Sequence, residues 1–488
     1  LSLPYITSFD ENGAELSLTD YIMTSASRKK VEDITGISLA YNGVSDYKNN
    51  VTESKTMGAN ANAGLTIKFT PWLNYEGRFQ YSLTKGGAEA FIPADSYFVR
   101  EERSQGTDIN GVQYLPTSGG HFTISDEASS SYTIRNQLNI NLSVGENNNH
   151  NFTALAGFEM RDRLSGSHSS FMRGYDKQTM QHIPYNDYLL STEGVYRPAL
   201  PSFFSATSNF FDPNQYTQTE IDYRFVSVYA NGAYTLMDKY SLNASIRVDQ
   251  SNLFGSDPSV QFKPIWSVGA IWNAAKERFM QATWLDRFNV RASFGYAGNS
   301  PNPGEGGPYD ILSSVTDPNY SKFGLGYVIS TPSNDKLTWE KTRTINVGVD
   351  WAVLENRLGG SIDFYDKNTT NLLAQTPCDP SSGFTTVLSN VGRMVNRGAE
   401  FTLNAITLRK GDFEWNTDFN FTYNFNKLVD MYVEPPTTPY LMVDYNYWEG
   451  YPYGTIFAYK WAGLDPADGM PRAYDSQGNI VSTLTNID

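Results

Sequence analysis

Two carboxylate pairs are the first residues here that could do chemistry: Asp363 with Asp366, and Glu414 with Asp418. Two carboxyl groups at a defined separation, flanking a bond, can act as acid and base, as in glycoside hydrolysis. Both pairs lie in stretches that alternate apolar and polar residues, where carboxylates facing water satisfy the pattern without catalysis. The four histidines, His121, His150, His168 and His182, fall in loops or turns. None shows HExxH or another ligand spacing, which favours surface histidines over a metal site. Cys378 is the only cysteine, so an intrachain disulfide and a CxxC centre are both excluded. Asp465-Pro-Ala-Asp468-Gly and Asp475-Ser-Gln-Gly478 lack the spacing and closing Glu of a calcium loop, and turn chemistry explains them. GEGG at Gly304 to Gly307 has no strand-to-helix context and is no phosphate loop.

One aromatic cluster is left: Tyr440, Tyr445, Tyr447, Trp448, Tyr451 and Tyr453. Such side chains offer a flat apolar face with a polar handle, which suits sugar or peptide binding. Tyr445, Tyr447 and Trp448 are the candidate substrate contacts. Membrane-interface girdles and packed loops use the same residues, and that plainer reading is the commoner one.

The elements that must position these residues alternate with period two. Around the first carboxylate pair the chain reads INVGVDW, a break at Glu355-Asn356, then RLGGSIDFYD; it resumes as NRGAEFTLNAI and FEWNTDFNFTYN. Trp415, Thr417, Phe419, Phe421 and Tyr423 share one face of the last segment, and Asn416, Asp418, Asn420, Thr422 and Asn424 the other. Such alternation means strands with one oily and one wet face. Composition agrees. Aromatics make up 14% of 488 residues, with 32 Tyr and 28 Phe, and charged residues only 18%. Tyr and Phe favour strands. The balance of 37 basic against 52 acidic residues, net −15, argues against a nucleic-acid partner. No apolar run reaches the roughly 18 residues of a membrane helix, which leaves strand-built membrane proteins open.

Taken in order, residues 1–58 are polar and irregular, and the strand pattern occupies 59–488. Strand pairs are separated by long polar stretches at about 83–130, 162–222, 298–340, 367–394 and 425–454. AAKERFMQATWL at Ala274–Leu285 reads as one or two turns of helix, and TIFAYKWAG as a thirteenth strand. The sequons at Asn141, Asn151, Asn243 and Asn420 fall inside predicted strands, the wrong place for a glycosylated loop. Short and long connections largely alternate, as in outer-membrane barrels with brief periplasmic turns and extended extracellular loops. The expected fold class is therefore all-β: an antiparallel transmembrane barrel of the Gram-negative outer membrane. About 13 strands is an odd number and falls short of the roughly 22 of a plugged barrel, so the chain reads as an interior piece of something larger. Ile345, Val347, Val349, Trp351, Phe419 and Phe421 are expected to face lipid; Asn346, Asp350, Asp363 and Asp418, the lumen.

INVGVDWAVLENRLGGSIDFYDKNTTNLL, SNVGRMVNRGAEFTLNA, DFEWNTDFNFTYNFNKLVDM and GYPYGTIFAYKWAGLDPADGMPRAYDSQGN, in this order, resemble the SusC/RagA-type TonB-dependent transporters of the Bacteroidetes outer membrane. The FTPWLNYEGRFQYS hairpin and WSVGAIWNAAKERFM with WLDRFNVRASFGYAGNS also look like that family. The resemblance implies a 22-stranded barrel around a plug domain. It implies import of a bulky oligosaccharide or peptide driven through TonB. It also implies a SusD-like surface lipoprotein over the mouth, as a dimer of transporter–lipoprotein pairs. It implies neither an enzyme nor a cofactor. The plug, the TonB box and the last strands are expected outside this stretch. Two other classes stand beside it: a passive porin or surface-binding barrel, and a secreted glycan-active β-protein. A plug and TonB box in the upstream sequence separate transporter from porin, and a detergent requirement eliminates the secreted protein.

Overall fold

A computed structural model of the chain describes residues 7–19, 23–202, 207–212, 216–280, 282–302, 306–315, 326–431, 448–467 and 469–482. Among these, twelve long strands form one antiparallel sheet in chain order. They are β1 (Val51–Thr70), β2 (Leu73–Ile92), β3 (Gly120–Val144), β4 (His150–Asp176), β5 (Tyr216–Leu236) and β6 (Tyr240–Ser251). The series continues with β7 (Pro264–Asn273), β8 (Leu285–Asn299), β9 (Glu340–Val353), β10 (Leu358–Thr370), β11 (Arg393–Lys410) and β12 (Phe413–Asp430). A two-residue strand, Gln181–His182, pairs with β4 and brings the sheet to 13 members. At one end the connections are tight, such as 71–72, 237–239 and 411–412; at the other they run through 93–119, 177–215, 300–339 and 371–392. Met237 and Asp238 reverse the chain with φ of 54° and 55°, and Leu354, Glu355 and Asn356 with φ of 58–59°. Paired left-handed residues match the twist of the strands they join.

Three expectations change. Strands β2, β3 and β4 continue into the stretches 83–130 and 162–222, so the first two long connections shrink to 93–119 and 177–215. β4 alone has 27 residues, well beyond the roughly 9–11 of a tilted crossing. The extensions carry Ser, Gly and Thr on both faces, so backbone pairing persists where the alternation that betrays a strand has stopped. Secondly, residues 1–58 are not irregular throughout: helices α1 (Ser25–Thr35) and α2 (Gly43–Asn49) precede β1, which starts at Val51. Thirdly, the stretch 455–463 adds no strand to the wall. Only Trp461–Leu464 is a strand, in a separate small sheet with Pro471–Tyr474 and Ile480–Val481. The expected helical turns appear as two short 3-10 segments, Ala274–Lys276 and Arg278–Met280.

Register decides the faces, because directly paired residues on adjacent strands point the same way. Val347 pairs with Ala292 and Phe364, and Val349 with Val290 and Ile362. Phe401 pairs with Phe421, and Leu403 with Phe419. This face is apolar yet uncovered: Val347 is 47% exposed, Phe419 51% and Phe421 55%. A soluble domain rarely leaves so continuous an apolar surface bare. The packed apolar clusters lie instead in the loops. Val31, Leu39 and Tyr97 pack with Met23, Tyr41 and Leu200, and Leu115, Leu190, Val195 and Phe211 pack with Tyr185.

Candidate functional site

The opposite face of the sheet is polar, and its side chains are wired together. On β2 and β3, Arg78 pairs with Glu76. Gln137 donates to Glu76 at 3.1 Å and to Asn139 at 3.0 Å, and Asn139 donates to Asn74 at 2.9 Å. Across β3, β4 and β6, Arg135 donates through Nε to Glu159 at 2.8 Å, and Arg247 lies 3.5 Å from the same carboxylate. Arg247 also donates to Asp249 and to Ser227, both at 2.7 Å. Glu159, Asp249 and Ser227 are buried although they sit on an open sheet. Each is covered by its charged neighbours, and carboxylates are tolerated there because cations satisfy them.

A second cluster joins β8, β9 and β10. Arg291 holds Asp350 with two parallel hydrogen bonds of 3.0 Å and reaches Asp363 at 2.7 Å. Gly348 makes room for it: a Cβ there would lie 2.5 Å from Asp363 Oδ1 and 3.1 Å from the guanidinium carbon. Towards the long-loop end, Glu159, Arg161, Tyr223, Arg247 and Asp249 open into a cleft of about 750 Å³ closed by Asn302, Trp339 and Leu388. Charged groups on its floor and aromatic rings on its walls suit a polar ligand with apolar patches.

The long loops above are docked onto each other. Asp46 of α2 accepts from the backbone N–H of Tyr97, at the start of α3 (Tyr97–Gln105), at 2.7 Å. Thr338 and Asn390 exchange hydrogen bonds of 2.7 and 2.8 Å between two other loops. A charged tie is made by Glu102 of α3, which Arg173 of β4 grips at 2.8 Å and His121 meets at 2.7 Å. Burial pushes the Glu102 carboxyl up, but the hydrogen bonds from His121 and Arg173 outweigh it and hold the group below its usual 4.5. A depressed carboxylate contributes stability that is complete above the ordinary value and fades as the pH falls through the lowered one. Hydrogen-exchange protection of 93–119 is therefore expected to persist at neutral pH and to drop below about 4.5. Glu102→Gln should remove that dependence and loosen the loop at pH 7 by roughly 2–3 kcal/mol. Protection that ignores both acid and the substitution would contradict this role for Glu102.

The residues singled out in the sequence are scattered. Asp363 and Asp366 point to opposite faces: Asp363 to Arg291, and Asp366 to Arg343 and Arg397. Odd spacing on a strand excludes them as an acid–base pair. Glu414 is taken up by Arg409 and Asn416, and Asp418 pairs across from Asn404. His121, His150, His168 and His182 lie on strands, not in loops as expected. His121 is mostly covered and His150 bonds Tyr234 at 2.7 Å. Among the described residues no three His, Cys, Asp or Glu side chains converge on one point. Asp465 and Asp475 accept from the backbone N–H groups of their own turns, at 2.9 Å from Ala467 and 2.7 Å from Asn479.

Tyr440, Tyr445 and Tyr447 lie outside the described residues. Trp448 and Tyr451 both pack on Phe457, with ring centroids 5.2 and 5.3 Å apart. Sequence reasoning missed the arginines. Arg135, Arg247 and Arg291 each occupy a polar position of an alternating strand, and that position was the available signal.

The family model of the TonB dependent receptor-like β-barrel matches residues 32–479. The chain belongs to this family. Its β-barrel class agrees with the sheet described above. Among the described residues no helix is long and apolar enough to cross a membrane. TonB-dependent receptor P26 of Formosa agariphila is 25% identical over 406 residues, 80% of this chain and 37% of the relative. TonB-dependent receptor SusC of Bacteroides thetaiotaomicron is 30% identical over 213 residues, 42% of this chain and 21% of SusC. Among solved structures, that of the RagAB peptide transporter superposes with a TM-score of 0.69 at 21% identity, covering 98% of this chain and 47% of the matched one. The SusC/RagA resemblance of the strand motifs is thus borne out, and the chain spans less than half the length of these relatives.

Proposed function

We propose that this chain is part of the wall of a TonB-dependent importer of a bulky nutrient, an oligosaccharide or a peptide, in the Gram-negative outer membrane. One observation carries the reading: a single sheet presents an uncovered apolar face on one side and a hydrogen-bonded, charged face on the other. A polar face wired by Arg–carboxylate pairs lets a hydrophilic cargo pass without stripping the wall of its partners. The docked long loops collect substrate at the mouth, where Tyr445, Tyr447 and Trp448 are the proposed contacts. A SusD-like lipoprotein covers that mouth, in a dimer of such pairs, and a plug outside this stretch opens under TonB force. No step is catalytic. The relatives support this reading: SusC is a TonB-dependent receptor, and RagAB is a peptide transporter.

The test is uptake by cells carrying the full-length protein. Deletion of its gene should abolish growth on one oligosaccharide or peptide source, and loss of TonB should do the same. Growth unaffected by TonB would point to a passive pore instead. Alanine at Tyr445, Tyr447 and Trp448 together should weaken binding of that nutrient without reducing the amount of folded protein.

A further inference from the structure

The apolar face carries a groove that ends on a cluster of cations. Its floor follows a single row of paired residues across six strands: Ala154, Gly232, Ala244, Val268, Phe294 and Ile345. Small side chains at Ala154, Gly232, Ala244, Ala270 and Ala292 leave a channel of about 850 Å³. The same row continues from Ile345 to Asp366 and then to Arg397. On that face, at the long-loop end, stand Lys341, Arg343, Arg397 and Lys427, with Arg393 at the margin opposite Asp430.

Among the described residues of this face the cations outnumber the carboxylates. Asp366 is shared by Arg343 at 3.0 Å and Arg397 at 2.7 Å. The Nε–H of Arg343 is covered from solvent and has no hydrogen-bond partner among the described residues. Lys341 lies 4.1 Å from the centre of the Tyr296 ring, and Tyr296 packs against Trp266 at 5.5 Å. The face therefore grades from small apolar residues, through aromatic rings, to a surplus of guanidinium and ammonium groups. Apolar contact below and anion-binding donors above are complementary to one kind of molecule, a lipid with a charged phosphate head.

We infer that this face binds a phosphorylated lipid of the leaflet on the long-loop side, its phosphate on Arg343 and Arg397 and an acyl chain along the groove. The inference rests on the membrane-wall reading, because the groove must open to lipid. Asp366 holds the two arginines in place, and bidentate guanidinium geometry suits phosphate better than lysine alone.

The experiment uses the full-length protein in detergent, challenged with bisphosphorylated lipid A, its dephosphorylated counterpart, or inorganic phosphate, with retained lipid counted by native mass spectrometry. The phosphorylated lipid should be retained in preference to the dephosphorylated one. Arg343→Gln with Arg397→Gln should reduce its retention by roughly tenfold or more, as expected for the loss of two cations at a lipid headgroup. Inorganic phosphate should not compete, since it lacks the chain. Equal retention of both lipids, or retention indifferent to the arginine pair, overturns the head site. Ala270→Phe, which fills the groove and leaves the cations intact, should lower retention; unchanged retention overturns the chain's placement. A separate control tests the wall itself. Val347→Cys, in a Cys378→Ser background, should resist a water-soluble maleimide in lipid nanodiscs. Rapid labelling there would refute the membrane face, and lipid selectivity with slow labelling would not.

Discussion

Val349→Arg is expected to cost about 2–4 kcal/mol of folding stability, whereas Asn346→Arg costs little. Both residues lie on β9, three positions apart. Val349 pairs with Val290 and Ile362 on the apolar face, and Asn346 with Ser293 and Tyr365 on the polar one. A guanidinium at Val349 would have to sit in hydrocarbon or bend the chain towards an interface, and either costs free energy. At Asn346 the same group stays on the polar face, beside Ser293 and Tyr365. Urea unfolding in lipid vesicles, followed by the heat-dependent gel shift of folded barrels, measures both. If the two variants lose the same stability, the assignment of faces is wrong.

Arg291→Met should be the most damaging substitution on the polar face, at about 2–3 kcal/mol. It leaves Asp350 and Asp363 facing one another without the cation that binds both. Removing one member of a fully buried pair costs more, about 3–5 kcal/mol, but Asp350 and Arg291 retain partial contact with water here. The carboxylates then repel, and Gly348 offers no side chain to fill the gap. Adding Asp350→Asn and Asp363→Asn to Arg291→Met should restore much of the loss, because the stranded charges are gone. A triple variant no more stable than Arg291→Met would show that packing, not charge, carries the effect. Asp350→Asn with Asp363→Asn on its own completes the cycle and gives the coupling energy.

The two-faced strands were legible because they rest on local alternation, and the family resemblance because it rests on strand motifs occurring in a set order. Ile345, Val347, Val349, Phe419 and Phe421 could be assigned to one face from their spacing alone, and register puts them there. The extent of the strands was less legible. Between Leu83 and Ile92, and from Asp162 to Asp176, pairing continues through polar runs with no apolar stripe to announce it. Backbone hydrogen bonds need no particular side chain, so a period-two search stops before the strand does. The stretch 455–463 erred the other way: its aromatic alternation resembles a crossing strand, yet it pairs with nothing in the wall.

What sequence alone determined, then, is that residues around Asp363 and Asp366 lie on strands with a wet and an oily side. Which neighbours they meet depended on register between strands far apart in the chain. Arg291 and Asp363 are 72 positions apart, and no periodicity links them. Only the pairing of β8 with β9, β9 with β10 and β10 with β11 brings the guanidinium to one carboxylate and leaves Asp366, three residues on, with Arg343 and Arg397 on the opposite face. Alternation along a strand is a property of the backbone; the partner across it is a property of the sheet.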